Sequence, residues 1–131
     1  MSNNFAIELV ETQKLLHIEG FSKKRVEWLK AKIIKEGIWN KPVALDFKHS
    51  LVLDGQHRME VALALGLKWI PAVKYDYSKV ELWSLRPKYE FDWKIVQDRA
   101  LTGDIYPYKT VKHKFPESLP SCNYTLEDLK K

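Results

Sequence analysis

Cysteine is almost absent from this chain of 131 residues. The single Cys122 excludes an internal disulfide and a cysteine-rich zinc site. No apolar stretch approaches the roughly 20 residues that a membrane-spanning helix needs. The first residues, Met1 to Phe5, lack the charged and then apolar segments that are typical of a secretion signal. These absences lead us to expect a cytoplasmic protein without a membrane partner.

Internal repeats and low-complexity segments are also missing. Hydrophobic residues make up 45% of the chain and charged residues 30%, as in folded globular proteins, and the length predicts one domain over residues 1–131. The net charge of +5 permits nucleic-acid binding but equally suits a pocket for phosphorylated small molecules. Because the lysines are spread out and no helix-turn-helix or RNA-binding motif is visible, nucleic acid is the disfavoured partner.

Apolar periodicity predicts a small α+β fold, a mixed sheet with helices packed against it. Helices are predicted over 23–35, 56–65 and 93–101. Strands are predicted over 5–9, 43–47, 51–53, 70–75 and 80–85. Two of these strands, 43–47 and 51–53, are expected to pair as a hairpin. Ser22 and Asp92 are predicted N-caps, and the segment 106–113 is predicted to be an ordered loop.

The most informative segment lies in the middle of the chain. It combines a short apolar strand, a turn and the start of a helix, namely 51–53, Asp54-Gly55 and Gln56-His57-Arg58. The first turn of a helix offers free N–H groups and the positive end of the dipole, which favour anions. Arg58 opposes that dipole, so a bound phosphate or carboxylate would explain its position. The alternative is an ordinary turn followed by a solvated arginine.

A second group of polar residues lies in the tail. Lys109, Thr110, Lys112 and His113 place three potential cations and a hydroxyl within five residues, a set that could clamp phosphates. A solvated basic loop is the alternative. Glu19 is an isolated carboxylate after the apolar Ile18, and it could equally be a surface residue. The four histidines lack metal-ligand spacing, so a zinc site is not expected.

Together these segments resemble the free L-serine kinases of the ParB N-terminal/sulfiredoxin-like superfamily. Three features carry the resemblance: 54–58, where those kinases usually read Asp-Gly-His-His-Arg; Ile38-Trp-Asn-Lys-Pro42; and the tail 109–113, similar to their Lys-Thr-Thr-Arg-His, followed by Leu126-Glu-Asp-Leu129. The resemblance spans nearly the whole chain. The chain departs from the pattern at Gln56, Val111 and Lys112, and the lysine loses the bidentate fork of arginine.

The resemblance implies a kinase that transfers a phosphoryl group from ATP or ADP to the hydroxyl of free L-serine, giving O-phospho-L-serine, with Mg²⁺ as cofactor. It implies Glu19 as the general base. Asp54 is a second catalytic candidate at the end of the strand, where it could assist the base or orient metal-bound water. The residues expected to bind the nucleotide phosphates are Gly55, Gln56, His57, Arg58, Thr110, Lys112 and His113. For the substrate, Lys41 is the candidate for the carboxylate, and Trp39 and Trp83 are candidates for the pocket walls.

Two alternatives remain open at this point. One is a non-catalytic nucleotide-binding regulatory module of the ParB type, and the other is a kinase of another small hydroxyl compound. Sulfiredoxin chemistry is disfavoured because it needs a cysteine where this chain has Gln56. The sequence leaves open the choice of ATP or ADP, the metal ligands, the pathway and the oligomeric state.

Overall fold

The protein is described here by a computed structural model that covers residues 7–131. Met1–Phe5 and the beginning of the predicted strand 5–9 lie outside the described residues. The strands are β1 (Glu8–Glu11), β2 (Leu16–His17), β3 (Ile38–Trp39), β4 (Val43–Asp46), β5 (Leu51–Asp54), β6 (Trp69–Tyr75), β7 (Glu81–Ser84), β8 (Val111–Lys114) and β9 (Tyr124–Thr125). The helices are α1 (Lys23–Glu36), α2 (Gln56–Ala64), α3 (Trp93–Leu101) and α4 (Leu126–Lys130), with 3₁₀ turns at Thr12–Lys14 and Tyr77–Lys79.

A five-stranded mixed sheet in the order β1-β6-β4-β5-β2 lies at the centre of the fold. Strands β1 and β6 are antiparallel, as are β4 and β5, whereas β4 pairs in parallel with β6 and β2 with β5. Two smaller sheets pair β3 with β9 and β7 with β8. The predicted α+β class with a mixed sheet is therefore confirmed, and so is the predicted β4–β5 hairpin. None of the described helices is both long and apolar enough to cross a bilayer.

Each face of the central sheet is covered by its own apolar layer, because successive side chains of a strand point to opposite faces. On β5, Val52 packs into the layer that holds the buried residues of α1, α2 and α4. Its neighbours Leu51 and Leu53 pack into the layer that holds α3, β7 and β8. Both layers therefore meet at β5, and the turn that follows this strand emerges between them.

The predicted helix caps are confirmed. The side chain of Ser22 accepts a hydrogen bond from the N–H of Arg25 at 3.2 Å, and that of Asp92 accepts one from the N–H of Ile95 at 2.9 Å. Such caps satisfy backbone donors that have no partner within the helix. They fix where α1 and α3 begin.

The predicted loop 106–113 is wrong at its end, because β8 begins at Val111. This strand pairs antiparallel with β7, with Trp83 opposite Lys112 and Leu82 opposite His113. Lysine and histidine have little intrinsic preference for strands, so the residues of the tail gave no strand signal. The partner strand, which is distant in the sequence, determines the structure of this segment.

Gly55 begins α2 in a conformation that other residues rarely adopt, with a φ of 113°. A Cβ atom at this position would lie 2.6 Å from Cγ1 of Val43. The turn backbone therefore packs directly against β4, and this contact sets the position of the helix start.

Replacing Gly55 with alanine should destabilise the protein more than replacing Gly37, because only Gly55 combines a positive φ with a close neighbour. The φ of Gly37 is 72°, and no atom would lie within 4 Å of its added Cβ. The positive φ alone costs about 1–3 kcal/mol, and the contact with Val43 should add about 1–3 kcal/mol. Urea unfolding of both variants measures the difference. Equal losses of stability in the two variants would mean that the contact with Val43 does not restrict the residue at position 55.

Candidate active site

Two cavities meet at the turn between β5 and α2. The larger cavity has a volume of about 720 Å³ and the smaller one about 310 Å³. Four residues line both cavities, namely Lys41, Asp54, Gly55 and His57. A ligand in one cavity would therefore lie next to a ligand in the other, with this turn between them.

Glu19 lines the larger cavity and is held there by the tail. It follows β2 and forms a parallel bridge with Tyr106. One carboxylate oxygen, Oε1, accepts hydrogen bonds from the backbone N–H groups of Thr110 at 3.0 Å and Val111 at 2.8 Å. The sequence motif of the tail therefore supplies backbone donors to a carboxylate that lies about ninety positions earlier in the chain.

The net effect of this environment is to raise the pKa of Glu19. Burial is the largest cause and raises it, whereas the two N–H donors and the charge of Arg86 lower it. The nearby negative charge of Asp54 raises it further. A carboxylate with a raised pKa is a stronger proton acceptor than an exposed one, and this is the property that a general base needs.

Arg86 is a residue of the site that sequence reasoning missed. Its Nε donates to Oγ1 of Thr110 at 3.1 Å, and its Nη2 donates to the carbonyl of Tyr108 at 2.7 Å. The segment that follows β7 is thus tied to the loop that holds Glu19. No motif surrounds Arg86 in the sequence, so nothing there indicated this contact.

Thr110 does not present its hydroxyl to either cavity, and the prediction that this side chain binds a phosphate is wrong. The residue is 0% exposed, and its Oγ1 donates to the carbonyl of Pro107 at 2.6 Å. It serves the site through its backbone N–H to Glu19. The hydroxyl forms its hydrogen bonds within the protein, as a buried polar group must.

His113 lines the larger cavity as a neutral ring, which corrects its prediction as a cation. Burial, with a smaller contribution from Lys112, lowers the pKa of His113 to about 4. Its Nε2 lies 2.9 Å from the hydroxyl of Tyr77, and the backbone carbonyl of Leu53 also hydrogen-bonds the ring. The ring therefore fastens β8 to β5 instead of supplying charge to a phosphate.

Gln56 lines the larger cavity, but the residue is only 6% exposed and its side chain bonds within the protein. Nε2 donates to the carbonyl of Val52, and Oε1 lies 2.5 Å from Nδ1 of His17. The other nitrogen of His17 lies 2.7 Å from Glu60. The Gln56 side chain is thus engaged within the protein, and the structure gives no support to its predicted contact with a phosphate.

The start of α2 has the character of an anion site. No side chain caps it among the described residues, and its first turn holds no acidic residue. His57 Nε2 accepts the N–H of Ser22 at 3.1 Å, so a neutral ring carries its proton on Nδ1 and can donate from there. Burial and then the charge of Arg25 lower the pKa of His57.

Arg58 lines the smaller cavity but not the larger one. Burial is the main cause that lowers its pKa, and Asp54 opposes this effect. A guanidinium nevertheless keeps its charge in proteins. Arg58 is therefore the cation that the structure places at the start of α2.

Most of the other predicted residues reach the larger cavity. Lys41 and Asp54 line both cavities, and Lys109 and Lys112 line the larger one. The carboxylates of Glu19 and Asp54 thus face a space with three lysines. Such a mixture of charges suits the positioning of a charged reactant together with a proton acceptor.

The two predicted tryptophan walls are wrong. Trp39 is 0% exposed and lies in the core beneath α1 and α4, and Trp83 is 46% exposed on β7 without lining either cavity. The apolar wall of the larger cavity is formed instead by residues that include Leu85, Phe115 and Leu119. Trp28, which carried no sequence motif, lines the smaller cavity.

The carboxylates that line the cavities suit a metal ion that binds together with the phosphates of a ligand. No group of three or more His, Cys, Asp or Glu residues that could hold a metal was found in residues 7–131. Mg²⁺ usually binds one or two carboxylates together with substrate phosphates. Asp54, exposed at the end of β5 and beside both cavities, fits that smaller requirement.

A scan against protein-family models and a search of curated proteins found no match. Solved structures do match. The chain shares 13% identity with truncated SbnI from Staphylococcus aureus, over 95% of this chain and 89% of that one, at a TM-score of 0.84. It shares 15% identity with a free serine kinase in complex with AMP, over 95% of this chain and 93% of that one, at a TM-score of 0.84. It shares 14% identity with a conserved hypothetical protein from Pyrococcus furiosus, over 98% of this chain and 98% of that one, at a TM-score of 0.83. The likeness confirms the predicted fold.

The buried state of His113 should make stability depend on pH. Its pKa of about 4 lies below the ordinary value of 6.5, so the unfolded chain takes up this proton first as the pH falls. Stability is therefore lost between about pH 6.5 and 4, by at most about 1.4 kcal/mol per pH unit from this group. Urea unfolding should show a shallower loss in His113→Asn. Replacing His49, in the β4–β5 turn, is the control, and equal slopes in wild type and His113→Asn would contradict the assignment.

Proposed function

We propose that the chain is a nucleotide-dependent kinase that phosphorylates the hydroxyl of free L-serine and uses ATP or ADP as the donor. The single observation that carries this proposal is the position of Glu19. A carboxylate with a raised pKa faces the cavity that adjoins an uncapped helix start bearing His57 and Arg58. The fold shared with the free serine kinase supports it, and the structure of that protein contains AMP.

The nucleotide phosphates bind at the start of α2 in this proposal. The donors in this proposal are the backbone N–H groups of the uncapped first turn, Nδ1–H of His57 and the guanidinium of Arg58. Phosphoryl transfer asks the protein mainly for positioning and for neutralisation of charge. These donors supply both, and Gly55 allows the phosphates to approach the backbone.

The serine hydroxyl lies beside Glu19. As the oxygen attacks the terminal phosphorus, its proton passes to the Glu19 carboxylate and the bond to the leaving nucleotide breaks. A positioned general base contributes typically about 10²–10⁴-fold to the rate. Because Oε1 already accepts two N–H groups, Oε2 is the oxygen available to the substrate.

The remaining charges hold the substrate and the metal. Lys41 lies between the cavities, and it pairs with the carboxylate of serine, while Lys112 faces the same space as Glu19. Asp54 would hold Mg²⁺ together with the phosphates. When bound, the metal supplies charge neutralisation on the phosphate oxygens. Residues 1–131 act as one kinase domain in this proposal, in the cytoplasm, where both reactants are available.

A kinase of a larger hydroxyl compound is the second candidate. The larger cavity has a volume of about 720 Å³, and its wall includes Leu85, Phe115 and Leu119, which suit apolar parts that serine lacks. A non-catalytic nucleotide module is less well supported. A carboxylate at Glu19 repels phosphates, so a site that only bound a nucleotide would gain nothing from it.

Phosphorus NMR of the purified protein with Mg²⁺, L-serine and either ATP or ADP tests the proposal directly. We expect a new phosphomonoester signal that requires both the protein and L-serine, and the productive nucleotide identifies the donor. A control without serine reports simple hydrolysis. If no signal grows with L-serine but one grows with another small alcohol, the substrate is wrong. Silence with every alcohol would favour the binding module.

Changing Glu19 to glutamine should lower kcat by about 10²–10⁴-fold while the protein stays folded, because the amide oxygen can still accept the tail N–H groups. In the wild type, kcat should fall as the pH drops through the raised pKa of Glu19, since only the ionised form accepts a proton. Steady-state kinetics across pH measures both effects. Glu90→Gln, at an exposed position outside both cavities, is the matched control. A near wild-type kcat in the Glu19 variant would exclude it as the base.

A further inference from the structure

A histidine that lines neither cavity lies against the first two turns of α2. His17 belongs to the short strand β2, which pairs in parallel with β5 and places His17 opposite Val52. Its Nδ1 lies 2.5 Å from Oε1 of Gln56, and its Nε2 lies 2.7 Å from Oε2 of Glu60. Because Gln56 and Glu60 are four positions apart, they share one face of the helix, and a single ring contacts both.

The hydrogen bonds around this ring determine its charge. Nε2 of Gln56 donates to the carbonyl of Val52, which fixes the orientation of the amide and turns its Oε1 toward His17. An amide oxygen and an ionised carboxylate only accept hydrogen bonds, so both nitrogens of His17 must donate. Only the imidazolium form has two N–H groups. His17 is therefore positively charged, and the carboxylate of Glu60 supplies the opposite charge.

The ion pair between His17 and Glu60 has a direction relative to α2. The cation is bonded to Gln56, the first residue of the helix, whereas the carboxylate belongs to a residue one turn further along. The side chain of His17 is 15% exposed and that of Glu60 26%, so solvent screens the pair only in part. The positive end of the pair therefore lies at the uncapped helix start.

Aromatic packing connects His17 to the other histidine of this region. Between ring centroids, Phe21 lies 5.2 Å from His17 and 6.5 Å from His57. Burial is the main cause that lowers the pKa of His57, and the charges of Arg25 and then His17 lower it further. A charged His17 thus favours the neutral form of His57, in which Nδ1–H is available as a donor.

We propose that His17 is a positioning residue of the anion site: held as an imidazolium between Gln56 and Glu60, it fixes the first turn of α2 and adds positive charge behind the bound phosphates. His17 contacts no reactant, and it acts through Gln56 and the N–H groups of that turn. The identity of the anion rests on the proposed function, whereas the charge of His17 rests on its own hydrogen bonds.

Loss of the imidazolium should weaken anion binding, because the carboxylate of Glu60 would then lie near the helix start without its partner. At the effective dielectric constant of about 20 that applies near a protein surface, a unit charge some 8–16 Å away contributes about 1–2 kcal/mol. This corresponds to a change in affinity of about 5- to 30-fold. Removing the carboxylate as well should restore part of that affinity, since the unpaired negative charge is then gone.

Calorimetric titration with inorganic tripolyphosphate and with ADP tests this role without any need for turnover. We expect His17→Gln to weaken the binding of both probes by about 5- to 30-fold. The double variant His17→Gln/Glu60→Gln should bind them more tightly than His17→Gln alone, a recovery that a purely geometric defect would not show. His49→Gln, in the β4–β5 turn and outside both cavities, is the matched control and should bind like the wild type.

Nitrogen NMR of the histidine rings measures the charge of His17 itself. An ordinary imidazole is mostly neutral at about pH 7.5, whereas we expect protons on both ring nitrogens of His17. The signal that disappears in His17→Gln assigns the resonance. In Glu60→Gln we expect a neutral His17 ring, because an amide at position 60 can donate to Nε2 and no longer requires a second N–H group.

Two results would overturn the inference. An unprotonated nitrogen on His17 in the wild type would exclude the imidazolium, and unchanged tripolyphosphate affinity in a folded His17→Gln would mean that the ring only stabilises the fold. Circular dichroism of each variant separates a folding defect from a binding defect. If His17→Gln does not fold, the wild-type signal, assigned through Glu60→Gln, still tests the charge.

The outcomes also separate this inference from the proposed function. A protein whose tripolyphosphate and ADP affinities depend on His17, yet which fails to phosphorylate L-serine, would refute the proposed function and leave the role of His17 intact. Phosphorylation of L-serine by a protein whose phosphate affinity does not depend on His17 would refute only the inference. A wild type that binds neither probe would refute both.

Discussion

The site depends on two backbone hydrogen bonds, from the N–H groups of Thr110 and Val111 to one oxygen of Glu19. They join the two segments that the resemblance singled out at opposite ends of the chain. Arg86 stabilises the loop through its hydrogen bonds to Thr110 and Tyr108. Without these hydrogen bonds the Glu19 carboxylate, which follows β2, would have no fixed orientation toward the cavity.

Burial determines which basic side chains of the site carry a charge and which are neutral hydrogen-bonding groups. His57 and His113 look like phosphate-binding cations in the sequence, but desolvation lowers the pKa of both. His113 consequently becomes a structural link to Tyr77 and Leu53, and His57 a neutral donor. In the proposed kinase, the charge that opposes a phosphate comes instead from Arg58 and the lysines. Because the two histidines are neutral, fewer positive charges repel one another when no anion is bound at the site.

Local patterns predicted much of the fold. The hairpin, the caps Ser22 and Asp92, and the strand–turn–helix at Asp54-Gly55 follow from periodicity and turn chemistry that neighbouring residues carry themselves. The strand β8 could not be predicted, because its pairing with β7 comes from distant residues. Trp39 and Trp28 show the same limit: aromatic character is visible in the sequence, but exposure depends on packing. The one available signal was that Trp28 lies off the apolar stripe of α1.

In the proposed mechanism, the donor phosphates at the start of α2 and the acceptor hydroxyl at Glu19 face each other across the Asp54-Gly55 turn. A crystal structure with Mg²⁺, a non-hydrolysable nucleotide and L-serine tests it most directly. We expect the terminal phosphate at the N–H groups that open α2, and the serine hydroxyl within about 2.6–3.2 Å of a Glu19 carboxylate oxygen. Phosphates bound away from that helix start, or a hydroxyl directed away from Glu19, would contradict it.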